Sequence, residues 1–302
     1  MAGYTTADLI TAVKQGMMLP DASSGSFSSS AILSYATFEL QGPIVALILA
    51  AREKYYMTSV DYDVVANQAF YAIPERALGG LVAQAQYVWG NNINELPAID
   101  PRELYTNNTG TPRAIMFQNN SVVLYPIPTQ SVGTLRLYYY QRPSSLEQTL
   151  NCAQITSIAA GSVTCSSVPT TWGTGTVVDW IPASLPYTPY GLDTEITNVS
   201  SNTITLSIPT ATQVAAATPT PAPQVGDWLA LSEYTPVPEI LRELFIVLVQ
   251  ATICRVLEAA GDSEKLAQAQ QKLASYVAAA KTQIQPRDQA ASKKIKSGWF
   301  GY

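Results

Sequence analysis

The densest hydrophobic stretch lies near the C-terminus. From Leu244 to Cys254 only Gln250 and Thr252 interrupt the apolar residues. A helix apolar on nearly all sides is buried on most of them. Pro236 and Pro238 stand where a helix start tolerates proline, and Glu239 and Glu243 would lie at its positive end. The pattern therefore predicts a helix from Val237, roughly 36 Å long by helical rise. Gly261 reads as the residue just past its end, and Asp262 or Ser263 as the cap of the next helix. That second helix, to Gln285, places Leu266, Leu273, Val277, Ala280 and Ile284 on one face and stops at Pro286.

The N-terminal part is also helical in period. Thr5 or Thr6 can cap a helix to Met18 with Leu9, Ile10 and Val13 on its apolar side. A Ser/Gly-rich loop follows, Pro20 to Ser30. A second helix then carries Ile32, Leu33, Leu40, Ile44, Leu47 and Ile48 to about Tyr56, with Gly42-Pro43 expected to kink or break it. The two chain ends together predict one helical bundle, residues 1–59 and 233–285.

From Val60 the period shortens to alternation. Val64-Val65, Ala69 to Tyr71 and the run Leu81 to Trp89 predict strands. Arg113 to Phe117 and Val122 to Tyr125 flank Asn119-Asn120, a hairpin signature, and Leu135 to Tyr140 adds a further strand. Residues 60–149 thus predict a small antiparallel sheet. Residues 150–232 contain an internal repeat. Ile155 to Ser166 (ITSIAAGSVTCS) aligns with Ile196 to Ser207 (ITNVSSNTITLS), and each copy is followed by a strand, Val178 to Ile181 and Gly226 to Leu229. Two hairpin-plus-strand units supply about six strands, enough for a small barrel or sandwich inserted before the last helices. The fold class is α+β: a helical bundle from both ends, a small antiparallel sheet, an inserted all-β barrel or sandwich with an internal repeat, and an extended arm over 286–302.

Composition narrows the function. The chain has 302 residues, no histidine and a formal charge of −5, which argues against a general nucleic-acid binder. Between Arg142 and Arg242 there is no Lys or Arg, whereas the last segment carries Arg287, Lys293, Lys294 and Lys296 against Asp288. Cys152, Cys165 and Cys254 match no zinc or disulfide framework and predict buried thiols in a reducing compartment, with a Cys152–Cys165 bridge as the alternative. No membrane-spanning run and no leader pattern is evident, so the expectation is a soluble protein made in a cytoplasm.

Catalytic motifs are missing: there is no P-loop, GxSxG, HExxH or CxxC. Asp61 and Asp63 could serve a metal or an acid–base pair, but solvated carboxylates at a helix-to-strand junction fit better. Glu75-Arg76 reads as a surface pair at a turn. Trp172, Trp180, Tyr187 and Tyr190 could stack on sugars; the plainer expectation puts Trp180 in the barrel core and the tyrosines in loops. Asp193 and Glu195, two apart on a strand, are the candidate pair for a glycan hydrolase, without an apolar pocket to support it.

Several short stretches, in order, carry a family resemblance. They are LPAIDPRE from Leu96, Gly110-Thr-Pro112, VLYPIP from Val123, LYYYQRP from Leu137, VGDW from Val225, Pro236-Val-Pro238, VLEAAGD from Val256, and Ile284-Gln-Pro-Arg287 opening the basic tail. In this the chain resembles the adaptor, or head-to-tail connector, proteins of short-tailed bacteriophages. The resemblance implies a structural virion protein without cofactor or enzymatic activity, assembled in the host cytoplasm into a twelve-membered ring below the portal. It also implies contacts with tail-nozzle or tail-fibre proteins and a channel through which DNA passes during ejection without specific binding. The C-terminal arm would contact the portal through Arg287, Lys293, Lys294, Ile295, Lys296, Trp299, Phe300 and Tyr302. Terminal aromatics among basic residues suit a groove with acidic rims and apolar pockets. The alternative reading is a tail-associated carbohydrate- or receptor-binding protein acting through the repeat module.

Overall fold

A computed structural model of the chain describes residues 4–17, 27–100, 102, 108–159, 162–184, 189, 191–207 and 224–284. Helix α1 (Thr6–Gly16) starts at a capping box: Thr5 and Asp8 satisfy each other's backbone N–H. Helix α2 spans Ser29–Ala51 and survives Pro43 by widening into a π turn over Leu40–Ile44. Proline has no N–H to donate, and the looser turn absorbs its ring without ending the helix. The π turn also re-phases the apolar face, so Ile32, Ala36, Leu40, Ile44, Val45 and Ile48 all stay buried. By length and composition α2 would suffice to cross a membrane, yet this face packs into the protein core.

Helices α3 (Phe245–Ala260) and α4 (Ser263–Ile284) form the C-terminal hairpin. Gly261 has φ +73 and ends α3, and Asp262 Oδ1 accepts the N–H of Lys265 to cap α4. Ala280 and Ile284 are buried, while Leu266, Leu273 and Val277 pack partly buried against the same core. Leu9, Val13, Ile32, Ile48, Leu248 and Ile253 belong to that one cluster.

Two boundaries depart from expectation. The α3 helix begins at Phe245, behind a 3-10 turn (Arg242–Leu244), and not at Val237. Glu239 is drawn out of any helix by tertiary bonds: its carbonyl accepts Tyr56 Oη at 2.7 Å and its Oε1 accepts the N–H of Ser144 at 3.0 Å. Helix α2 ends at Ala51, short of Tyr56, because Tyr56 is committed to that bond and leads directly into strand β1.

Strands β1 (Met57–Asp63), β2 (Phe70–Ala72), β3 (Ala77–Trp89), β4 (Asn92–Glu95), β5 (Thr109–Gly110), β6 (Ala114–Gln118), β7 (Ser121–Tyr125), β8 (Ile127–Pro128) and β9 (Thr134–Gln141) follow. They form a four-stranded sheet in the order β1-β9-β3-β4, a three-stranded sheet β2-β7-β6 and the short parallel pair β5-β8. Tyr71, Ile115, Val122 and Leu124 of one sheet share a core with Ala85, Tyr87, Leu135 and Leu137 of the other. The β6–β7 turn places Asn119 and Asn120 at φ 50 and 54, the left-handed pair a two-residue hairpin demands. Val64-Val65 lies beyond β1 and forms no strand, and β4 pairs with β3 as a hairpin that the sequence pattern did not mark.

Strands β10 (Ser145–Leu146) and β17 (Tyr234–Thr235) pair in parallel. Between them β11 (Ala153–Ala159), β12 (Ser162–Cys165), β13 (Val177–Ile181), β14 (Gly191–Ser200), β15 (Thr203–Leu206) and β16 (Trp228–Leu231) close a barrel, in the order β11-β12-β15-β14-β13-β16. Its core holds Ile155, Val163, Cys165, Val178, Ile196, Ile204 and Leu229. Trp172 is the buried aromatic there and Trp180 packs partly buried beside it, the reverse of the expected emphasis on Trp180. All three cysteines are free and buried, so no Cys152–Cys165 bridge forms.

Candidate functional site

The segment from Gln141 to Glu147 is where helices, sheets and barrel meet. Gln41 Nε2 donates to the Pro143 carbonyl (2.9 Å), Thr37 Oγ1 accepts the N–H of Leu146 (3.0 Å), and Thr6 Oγ1 donates to the Glu147 carbonyl (2.7 Å). On the other side the N–H groups of Ser145 and Glu147 donate to the carbonyls of Glu233 and Thr235. Each bond satisfies a backbone group that burial would otherwise leave unpaired, so they fix this segment firmly.

Beside it lies an ionic cluster built from three distant stretches. Arg76, in the turn before β3, sends Nη1 to Asp179 Oδ2 (2.7 Å) and Nη2 to Asp179 Oδ1 (3.1 Å), Asp193 Oδ1 (2.9 Å) and Ser232 Oγ (2.8 Å). Asp179 also accepts the N–H of Asp193 (2.9 Å) and of Glu233 (3.0 Å). Arg76 and Asp179 are both buried. Glu75-Arg76 is therefore no surface pair: the turn aims its guanidinium at a carboxylate buried on the apolar strand VVDWI. Burial works against the Arg76 charge, but the hydrogen bonds and charge of Asp179 outweigh it and hold the guanidinium pKa above its ordinary value. Asp179 bears the cost. Burial pushes its carboxyl above the usual range, and Arg76 with the two backbone donors pulls it only part of the way back.

Glu239 sits close enough to feel both charges. It is wholly buried; desolvation, opposed by the Ser144 bonds, raises its pKa to about 7, and its Oε2 has no partner. A second buried pair lies in the sheet, where Arg136 binds Asp61 through Nε and Nη2, both at 2.8 Å. The hydrogen bonds that Arg136 donates to Asp61 lead in raising the Arg136 pKa. Asp61 is thus a strand residue spent on an arginine, not a solvated carboxylate, and Asp63 stands exposed apart from it.

Neither enzymatic candidate gains support. Asp193 is bound by Arg76 and Ser232 and has φ +54, whereas Glu195 is exposed two residues on. Among the described residues no group of three or more His, Cys, Asp or Glu could hold a metal. Trp172 is buried and unavailable to a sugar, and Tyr187 and Tyr190 lie outside the described residues. So do the expected arm contacts, Arg287, Lys293, Lys294, Ile295, Lys296, Trp299, Phe300 and Tyr302.

Compared with known families, residues 4–161 match the SU10 adaptor protein. The chain belongs to the SU10 adaptor protein family. The match takes in α1, α2, both sheets and the first barrel strand, just over half of the sequence. It makes the chain a structural bacteriophage adaptor and a virion component, in a family that implies association with portal and tail components. No curated protein matches the chain. The Arg76 cluster is the feature sequence reasoning missed. Its signal was an aspartate inside the apolar run VVDWI, in a stretch without any cation of its own.

Proposed function

We propose that the chain is the repeating subunit of an adaptor ring, a twelve-membered one, that joins the portal vertex to the tail and continues the DNA channel. The observation that carries this reading is the SU10 adaptor match over residues 4–161. The charge layout supports it: an acidic body lets DNA slide past without counter-ion-releasing contacts, while the cations gathered in the last segment suit an acidic partner groove. Arg287, Lys293, Lys294, Ile295, Lys296, Trp299, Phe300 and Tyr302 form the portal-binding arm in this account. Tail-nozzle or tail-fibre proteins meet the opposite side, and assembly takes place in the host cytoplasm before DNA ejection.

In the same reading residues 1–59 and 233–285 build the ring, 60–149 is the sheet region, 150–232 an inserted module and 286–302 the arm. The separate apolar clusters of helices, sheets and barrel support the division. A duplication within the barrel is supported by bonds repeating at an offset of 41 residues. Thr156 Oγ1 donates to the Thr164 carbonyl and Thr197 Oγ1 to that of Thr205; Ser166 N–H donates to the Gln154 carbonyl and Ser207 N–H to that of Glu195. The ladder shifts register at Ile155/Ser157 and again at Ile196/Asn198.

The test mixes the purified chain with the portal of its phage and examines the product by electron microscopy. A ring seated on the portal is expected. A portal that stays bare at micromolar protein overturns the reading.

A further inference from the structure

We infer that Arg76 is a latch that sets the attitude of the barrel, and that breaking it frees the barrel to swing as a folded unit on the body. Four observations carry this. First, the barrel has its own apolar clusters, made of residues between Cys152 and Ala230, while Leu146 belongs to the helical core. No buried apolar cluster in the described residues spans barrel and body. Second, the chain enters and leaves the barrel side by side, through residues 148–151 after β10 and Ser232-Glu233 before β17. Two adjacent passages of this length make a hinge, and β10-β17 stays anchored to Thr37 and Thr6 whatever the barrel does.

Third, Arg76 belongs to the sheet region, yet its bonds end on β13 (Asp179), β14 (Asp193) and the barrel exit (Ser232). It therefore crosses the hinge. The neighbouring pair Arg142–Glu233, 3.2 Å and about 43 and 44% exposed, is too solvated to replace it. Fourth, Asp193 and Glu233 have φ of 54 and 67, left-handed values that disfavour residues with side chains, and both donate their N–H to Asp179. Backbone strain is thus held in the barrel and in the exit passage by the carboxylate that holds Arg76. The latch is half open to solvent, since the Asp193 side chain is 60% exposed whereas that of Asp179 is fully buried. Salt or a competing cation can reach the outer bond without disturbing the inner one.

The test uses the full chain carrying nitroxides at Leu81→Cys on β3 and Asn198→Cys on β14, diluted into unlabelled chain; the three native thiols are buried. Arg76→Met leaves Asp179 buried without its cation and can misfold for that reason, so the deciding variant is Arg76→Met/Asp179→Asn, which removes both charges. The latch predicts one narrow interspin distance in the parent and a distribution at least twice as broad in the double variant. It also predicts that the amides of β12 and β15 keep their hydrogen-exchange protection while those of Asp193 and Glu233 lose it tenfold or more. An unchanged narrow distance overturns the inference. So does loss of protection across β12 and β15, which would make Arg76 part of the barrel's own fold.

Discussion

Arg76 and Asp179 stand 103 residues apart in sequence and meet in a two-pronged buried bond of 2.7 and 3.1 Å. Two carboxylate oxygens accept four donors there, two from the guanidinium and two from the backbone of Asp193 and Glu233. A buried ion pair repays its desolvation only when its lone pairs are this fully used. The body of the molecule and its barrel are tied at that point.

The Arg136–Asp61 pair across β1 and β9 has the same logic inside one sheet, with both side chains nearly inaccessible. Arg136→Met strands the Asp61 charge and is expected to cost about 3 kcal/mol. Arg136→Met/Asp61→Leu recovers most of that loss. Denaturant unfolding of the three proteins checks it; equal loss in single and double variants would contradict it.

Glu239 makes stability depend on pH. Its folded pKa of about 7 lies above the ordinary carboxylate value, so the folded state holds the proton more tightly. Its contribution is full at pH 4, falls as pH rises through the unfolded value and is lost above pH 7, a change of about 3 kcal/mol. Glu239→Gln keeps the Ser144 contact without a charge. Relative to the parent it should be more stable at pH 8 than at pH 5. Melting curves across that range decide it; a pH-independent difference contradicts the assignment.

Gly133 has φ +82, and a Cβ there would stand 2.8 Å from the Tyr87 ring and from the Val88 carbonyl. The ring cannot yield freely, because Tyr87 Oη donates to the Val132 carbonyl at 2.7 Å. Gly133→Ala should destabilise by about 3 kcal/mol, combining left-handed strain with overlap. A loss below about 1 kcal/mol would show that the turn relaxes.

Trp172 gives the barrel its largest core side chain, and its indole N–H is buried without a partner. Trp172→Ala should cost about 4 kcal/mol, whereas Trp172→Phe, which removes the unpaired donor, should cost under about 1.5 kcal/mol. Equal damage from both would mean that the N–H does find a partner.

What could be read from sequence was local chemistry. Pro43 announced the distortion of α2, Gly261 the end of α3, Asn119-Asn120 the hairpin, and the recurrence of ITxxxxxxxTxS the two barrel hairpins. Each depends on a propensity or a period that neighbours carry. The helix start near Val237 failed because Glu239 obeys Tyr56 and Ser144, partners 183 and 95 residues away. Arg76 was misread for the same reason: a charged residue at a turn looks solvated until the fold brings Asp179 to it. The portal contacts rest on family resemblance and on the chemistry of the last segment, because residues 285–302 lie outside those described.

The most direct test of the connector account is the mass of the complex formed with the portal, compared between the full chain and one ending at Gln285. The account predicts one copy bound per portal subunit for the full chain and none for the shortened one. Equal binding by both would contradict the arm assignment, and no binding by either would contradict the connector role itself.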